Sequence, residues 1–505
     1  MGYDESKANE LQQLKDDDES KKTQSQILVE MASDIELFHT PDETAYAVLT
    51  INEHEEVMPL RKKKFKRWLR MQYYDTFGKV AGSQAVEDAL STLEGGALFK
   101  GEMHQVHTRI AEYKGRFYID LANEHYEAIE VSEDGWKVVS QTPVYFKRTN
   151  SLGELPAPEP GGRIEQLKPF LNCRNEDDFK MAVAWLLATK RPGSPYPVLL
   201  VQGEQGSSKS TTTKVLRSLI DPSETLPLRN LPKSEEELAI AASKAHIGAY
   251  DNISSLSNAL SDTFCKIALG GSVAKRELYS DDEEAVITLM KPSILNGISD
   301  VGKRPDLLDR SIMLNLPSIP KDKRTDEGTF WREFEAVRPK IIGAFLDVVS
   351  AAIKGLPYTV VTNKPRMADF ALWITAAEKA LNWKPGEFIE LYSRNQQEGI
   401  NQSLETDPLA VAVIDFMKNR KQYKGTPTEA HELITEYVRD QRTIYSKAWP
   451  TPRSIKGRLT RIAPGLRSEG IYFTDLGQTS EGRLIKLERM EEEAPISEDG
   501  EDITI

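Results

Sequence analysis

The chain has only two cysteines in 505 residues, Cys173 and Cys265. They stand far apart in sequence, with no CxxC pair and no histidine at metal-ligand spacing. This argues against a disulfide framework or a structural zinc site and points to a reducing compartment. No apolar run approaches the roughly 18 residues that a membrane span needs. The first residues are polar and acidic, unlike a secretory signal. A cytoplasmic protein with no membrane partner is therefore expected. Excess positive charge is also missing, since the formal net charge is −13. Much of the acid sits at the two ends, in Asp16-Asp17-Asp18-Glu19 and from Glu491-Glu492-Glu493 to Asp502. Interior stretches are strongly basic, so the global charge does not exclude a polyanionic partner.

The hydrophobic content of 39% is that of a folded protein, and the length suggests about three domains. Residues 1–25 read as a mobile acidic tail, and 26–154 as an α+β domain. In that domain a helical pattern through Phe65, Trp68, Leu69 and Tyr73 gives way to β-like runs at 117–119, 128–131 and 136–139. The run Leu155-Pro156-Ala157-Pro158-Glu159-Pro160-Gly161-Gly162 marks a linker, taken as 155–164. A central unit follows over 165–357, then a helical connector over 358–404, a C-terminal domain over 405–490 and a second acidic tail over 491–505. The expected class is multidomain α/β, with a parallel sheet and flanking helices at its centre.

The most informative stretch is Gly203-Glu204-Gln205-Gly206-Ser207-Ser208-Lys209-Ser210. It follows the apolar run Val198 to Val201 and precedes Thr211 and a helical pattern. Strand, glycine-bearing loop, Lys-Ser and helix, in that order, form the phosphate-cradling loop of a nucleotide triphosphatase. Gly203 and Gly206 let successive N–H groups point at a triphosphate. Lys209 sets a point charge against the β- and γ-phosphates, the Ser210 hydroxyl can ligate Mg²⁺, and the helix N-terminus favours the anion. Ser208 departs from the usual motif, standing where the last glycine is expected. ATP and Mg²⁺ are the expected cofactors, bound by residues 203–211.

Such a site needs an acidic residue at the end of a neighbouring strand. Asp251, ending Ala245 to Tyr250, is that candidate, as metal ligand with Ser210. Its neighbour is Asn252 rather than a second carboxylate, so Asp251 does both jobs or the base lies elsewhere, with Asp262 the weaker choice. The run Met290 to Gly297 reads as another strand, whose Asn296 would position water beside the γ-phosphate. An arginine in the element Arg304 to Ser311 would reach the nucleotide of an adjacent subunit. Arg310 is the first choice for this finger and Arg304 the second.

The segment Gly270 to Tyr279, the Leu295-Asn296 strand and the Leu308-Asp309-Arg310 element together resemble superfamily-3 helicases. The likeness is to the AAA+-like ATPase part of phage and mobile-element primase-helicases, over roughly residues 165–320. The resemblance implies a homo-hexameric ring with DNA, single-stranded or forked, in its channel. It also implies a channel hairpin over about Val273 to Leu289, with Lys275 and Arg276 on phosphates. The N-terminal unit lacks the paired Asp-x-Asp carboxylates and zinc cysteines that primase chemistry needs, so a primase or polymerase would be a separate partner.

From Gln441 to Gly470 there are seven basic residues against one acid, Glu469. Within this stretch 454–462 places apolar residues on one helical face and cations on the other. Two helices, this basic helix and two β-runs (471–473 and 483–487) have the layout of a winged helix. Arg453, Lys456, Arg458 and Arg461 are its candidate duplex contacts, although such modules also serve as protein adaptors. A second basic stretch, Arg61 to Arg70, reads equally as a DNA-tracking surface or as the solvated face of a helix. The expected function is an ATP-dependent DNA helicase or translocase replicating a phage or mobile element. The competing reading is a P-loop ATPase switch with a DNA-binding winged helix, acting in transcription or phage defence.

Overall fold

The computed structural model describes residues 22–51, 54–276, 284–297, 304–446, 449–480 and 482–490. Nearly all of the expected N-terminal tail, the whole C-terminal tail and the hairpin tip at 277–283 lie outside the described residues. The protein is a multidomain α/β structure built around a parallel sheet.

That sheet has four strands in the order Ser311–Leu316, Val198–Gly203, Ser293–Gly297, Gly248–Ile253. All three pairings are parallel. The Val198–Gly203 strand is apolar at every position from 198 to 201 because both of its faces are covered. Leu199 and Val201 belong to one core with Trp185, Leu216 and Phe345. Val198 and Leu200 belong to another with Tyr250, Phe264 and Leu295. Side chains alternate across a strand, so these two sets occupy opposite faces. The Gly248–Ile253 strand is one of the two edges. On its outer side the Arg229 N–H donates to Ala249 O (2.9 Å), and the Asp251 N–H donates to Arg229 O (2.9 Å).

The long helix Glu327–Gly355 begins at Asp326, whose carboxylate accepts the Thr329 N–H at 2.9 Å. By length and composition alone, Glu327–Tyr358 would suffice to cross a membrane, contrary to the expectation that no such segment exists. Inside the protein 56% of its most apolar window is buried. Ile341, Ile342, Phe345, Leu346 and Val349 supply that window to the central core. Strong burial of one face, not a lipid surface, accounts for the composition.

The Pro- and Gly-rich run at 155–164 is not a free linker. Leu155 is buried and its N–H donates to Leu121 O (2.8 Å), while the Glu159 N–H donates to Pro339 O (3.0 Å). A Cβ on Gly343 would stand 1.9 Å from Glu159 O, so the run lies directly against the long helix. Prolines keep a chain extended, and an extended chain docks well along a groove.

The N-terminal region divides by packing. A three-stranded antiparallel sheet (36–39, 45–51, 54–59) and the helices Lys63–Phe77 and Ser83–Phe99 share their own core. The four-stranded antiparallel sheet of 110–139 instead joins the central core through Phe117, Ile119 and Ile129. Trp136 Nε1 donates to Asp347 on the long helix at 2.8 Å.

The C-terminal residues form a separate core. Helices Pro408–Met417, Pro427–Thr435 and Ile455–Ser468 pack with a three-stranded antiparallel sheet in the order 422–425, 482–489, 471–479. The strand Gln422–Gly425 adds a third strand to the two expected β-runs.

Candidate functional site

The loop after Val198–Gly203 turns on left-handed backbone. Gly206 has φ of 83°, and Ser208 takes φ 61°, ψ 29°. The second value explains why glycine is expected at 208: a side chain there costs about 1–2 kcal/mol. A Cβ on Gly203 would meet Ser207 Oγ at 2.5 Å and Leu316 O at 2.6 Å, so no larger residue fits. The helix Lys209–Ser218 starts directly from this turn.

Lys209 Nζ donates to Gly203 O and Glu204 O, both at 2.8 Å, folding back over the loop's own carbonyls. Burial pushes its ammonium below the usual lysine range, with Asp251 opposing the shift. Ser210 Oγ donates to the Asp251 carboxylate, at 2.9 and 3.1 Å to its two oxygens. Asn296 is fully buried; its Nδ2 donates to Thr213 Oγ1 (3.2 Å) and its Oδ1 accepts the Asn252 N–H (3.0 Å). The strand order produces this arrangement. The Asn296 strand lies between the loop strand and the Asp251 strand, so its polar end bridges Thr213 of the loop helix and the Asn252 N–H next to the acid.

Other residues hold the loop that sequence reasoning passes over. Asn172 Nδ2 donates to Ser207 O (3.1 Å) and Pro317 O (2.6 Å), and the Ile319 N–H donates to Gly206 O (3.2 Å). No local motif announces Asn172, because its partners come from distant segments. Beside the loop opens a cavity of about 710 Å³, lined by Phe170, Asn172, Thr211, Ile319, Arg324 and Phe330 among others. Glycines that leave room for phosphate, a lysine, and a hydroxyl already on a carboxylate suit a nucleoside triphosphate with Mg²⁺.

The arginine element departs from expectation. Arg310, the first choice for a finger, is folded inward with its side chain 10% exposed, and Nη1 meets Asp306 Oδ1 at 2.6 Å. It secures its own short helix, Pro305–Leu308, from one turn away. Arg304 is more open at 36%, and pairs with Asp262 at 2.5 Å. Asp262, the weaker choice for the base, is thus engaged with Arg304.

The expected hairpin exists: Ser272–Arg276 pairs antiparallel with Glu284–Thr288, Lys275 opposite Ala285 and Arg276 opposite Glu284. Two of the four expected duplex contacts are engaged within the chain. Lys456 pairs with Asp475 (2.5 Å) and Arg458 with Asp407 (2.9 Å). Arg453 and Arg461 are exposed and line a groove with Tyr445 and Trp449. On the other basic stretch, Arg61 pairs with Glu87 and Glu94, Lys64 with Glu56 and Lys66 with Glu87. Phe65 and Leu69 are fully buried there, so packing sets the inward face of that helix, while Lys63, Arg67 and Arg70 stand exposed on it.

No curated protein matches the chain. Among solved structures it is similar to SCCmec type IV Cch, described as an active helicase. Identity is 11% and the TM-score 0.44, over 90% of this chain and 92% of that one. The NrS-1 C-terminal region gives 11% identity and a TM-score of 0.38, over 93% and 99%. A full-length MCM homologue from Methanopyrus kandleri gives 11% and 0.30, over 68% and 91%. Residues 164–384 match the family model of the actinomycete integrative conjugative element replication protein, and residues 409–498 match that of the AICE RepA C-terminal domain. These two matches, to the two parts of one protein and together more than half of the residues, place the chain in the actinomycete integrative conjugative element replication protein family.

Proposed function

We propose that this replication protein is an ATP-dependent DNA helicase or translocase, forming a homo-hexameric ring with ATP hydrolysed at subunit interfaces. One observation carries the reading: the Ser210 hydroxyl rests on the Asp251 carboxylate, with Lys209 on one side and Asn296 on the other. ATP enters with its phosphates against the loop amides, and Lys209 exchanges the carbonyls of Gly203 and Glu204 for phosphate oxygens. Ser210 and Asp251 are the residues that would hold Mg²⁺, which would supply charge neutralisation at the phosphoryl group being transferred. Asn296, locked by Thr213 and the Asn252 amide, orients the attacking water. With one carboxylate at this strand end, Asp251 is the acid available to polarise that water.

For the finger the geometry favours Arg304, and Arg310 keeps the element that carries it in shape. The Lys275–Arg276 strand grips DNA phosphates in the channel. The C-terminal domain acts as a winged helix on duplex DNA, with Arg453 and Arg461 leading, since Lys456 and Arg458 already have carboxylate partners.

The test is ATP hydrolysis and separation of forked DNA by the full chain and by Lys209→Ala. Lys209 meets phosphate charge in ground and transition states alike, so its loss should abolish hydrolysis and strand separation. Turnover within a few-fold of wild type in the variant would reject the site. Duplex binding with no ATP-dependent separation in the wild type would replace the helicase reading with the ATPase switch.

A further inference from the structure

The segment between the last sheet strand and the long helix is fastened to the phosphate loop at several points. The Ile319 N–H donates to Gly206 O, Asn172 bridges Ser207 O to Pro317 O, and Ser318 Oγ lies 3.4 Å from Glu204 Oε2. This fastening fixes where Arg324 stands. Its Nε donates to Ile319 O at 3.3 Å, and its Nη2 lies 3.2 Å from where a Cβ on Gly206 would be. The guanidinium therefore lies against the apex of the loop, and Arg324 also lines the 710 Å³ cavity. Several arginines around the central core have a carboxylate partner, such as Asp221 for Arg109, Asp262 for Arg304 and Asp306 for Arg310, and others, such as Arg191 and Arg217, are held by backbone carbonyls instead. Arg324 has no carboxylate partner among the described residues. A planar cation without a counter-ion, beside a loop built for anions, suits a phosphate oxygen in bidentate geometry.

We propose that Arg324 is a second cationic ligand of the nucleotide phosphates, acting in cis from the same chain as Lys209. The inference rests on the nucleotide-site reading and adds to it. A finger from the neighbouring subunit completes a site only on assembly, whereas Arg324 belongs to each chain's own loop. Gly206 has a role here beyond its φ: a Cβ at 206 would stand 3.2 Å from Arg324 Nη2, so the guanidinium would have to give by a few tenths of an ångström.

The experiment measures ATP affinity and the ATP-dependent rise in unfolding temperature, at fixed magnesium, for the full chain. The variants are Arg324→Ala, Arg324→Lys and Lys209→Ala. A charge-assisted hydrogen-bond donor lost from a phosphate should weaken ATP binding about ten- to a hundredfold. Arg324→Lys keeps the charge without the fork and should lose less. Because Arg324 is exposed, Arg324→Ala should unfold at the wild-type temperature without nucleotide, and only the ATP-dependent rise should shrink. Mixing Arg324→Ala with Lys209→Ala subunits should restore no hydrolysis, since no interface then holds both residues on one chain. ATP affinity within twofold of wild type overturns the proposal, and so does rescue on mixing, which would make Arg324 a trans-acting residue. If the wild type shows no ATP-dependent rise at all, the nucleotide site itself is refuted and this inference falls with it.

Discussion

Replacing Asp221 with asparagine tests how the N-terminal region is joined to the central unit. Asp221 Oδ2 accepts the N–H groups of His246 and Ile247, each at 2.9 Å, and Oδ1 lies 3.3 Å from Arg109 Nε. Both charged side chains are about fully buried. The Arg109 guanidinium also donates to Asp120 O (2.7 Å) and Gly153 O (2.6 Å). Burial opposes ionisation of Asp221, but Arg109, Arg217 and His246 together hold its carboxyl below the usual range. An asparagine cannot satisfy this setting in either orientation. With its oxygen toward His246 and Ile247, its NH₂ faces an unneutralised guanidinium, and breaking a buried pair costs about 3–5 kcal/mol. Turned the other way it strands two buried N–H groups, at about 1–3 kcal/mol each. Either loss is a large share of a typical stability of about 5–15 kcal/mol. Urea unfolding followed by tryptophan fluorescence should therefore shift by at least about 3 kcal/mol. Arg109→Met combined with Asp221→Leu should cost less than the two single changes added together, by about 0.5–3 kcal/mol. A shift below about 1 kcal/mol for Asp221→Asn would refute the argument.

Three further outcomes are expected. Arg304→Ala should bind ATP but hydrolyse it slowly, by a factor on the order of 10³, and mixing with Lys209→Ala subunits should restore part of the activity. Arg310→Ala should instead lower the unfolding temperature, and rescue of Arg310→Ala without rescue of Arg304→Ala would reverse their roles. Lys275→Ala with Arg276→Ala should leave basal hydrolysis intact while abolishing strand separation, and flatten the salt dependence of DNA binding by about 1–2 slope units. Wild-type unwinding by that double variant would dismiss the hairpin. Burial, aided by the charge of Lys291, pushes the His246 imidazole down to about 3. The unfolded chain takes up this proton near pH 6.5, so stability present above that pH should fall, by about 5 kcal/mol at most, as the pH drops toward 3. His246→Leu should flatten the decline, and an unchanged acid profile would contradict the burial argument.

The phosphate loop was legible because strand, turn and helix are contiguous, and one lysine and one serine in that order serve one chemistry. The strands bearing Asp251 and Asn296 were legible as apolar runs ending in a polar residue. That the second inserts between the first and the loop strand is a matter of tertiary pairing, which no local pattern encodes. The outer limits of the hairpin, about Val273 to Leu289, agree with strands at Ser272–Arg276 and Glu284–Thr288. What misled was charge and proline. Lys456 and Arg458 look free on a helical wheel, yet Asp475 and Asp407, distant in sequence, neutralise them. Arg310 stands four residues after Asp306, a spacing that lets the two pair locally. The Pro-Gly run at 155–164 has the composition of a flexible spacer, and only the long helix beside it shows that it is packed.

The Asp251 strand, at one edge of the sheet, is bonded on its outer side, among the described residues, by Arg229. The segment just before Arg229 also receives Arg217, whose Nη1 lies 2.5 Å from Leu226 O and 2.8 Å from Pro227 O. Arg217 is in the last turn of the helix that begins at Lys209. A closed circuit results: loop helix, Arg217, residues 226–229, Asp251, Ser210, and back to the loop helix. The lysine and the acid are thus coupled twice, once through the hydroxyl at the mouth of the site and once around its far side. If magnesium parts Ser210 from Asp251, the rear connection still sets their spacing, so the two halves of the site should open only as far as residues 226–229 can stretch.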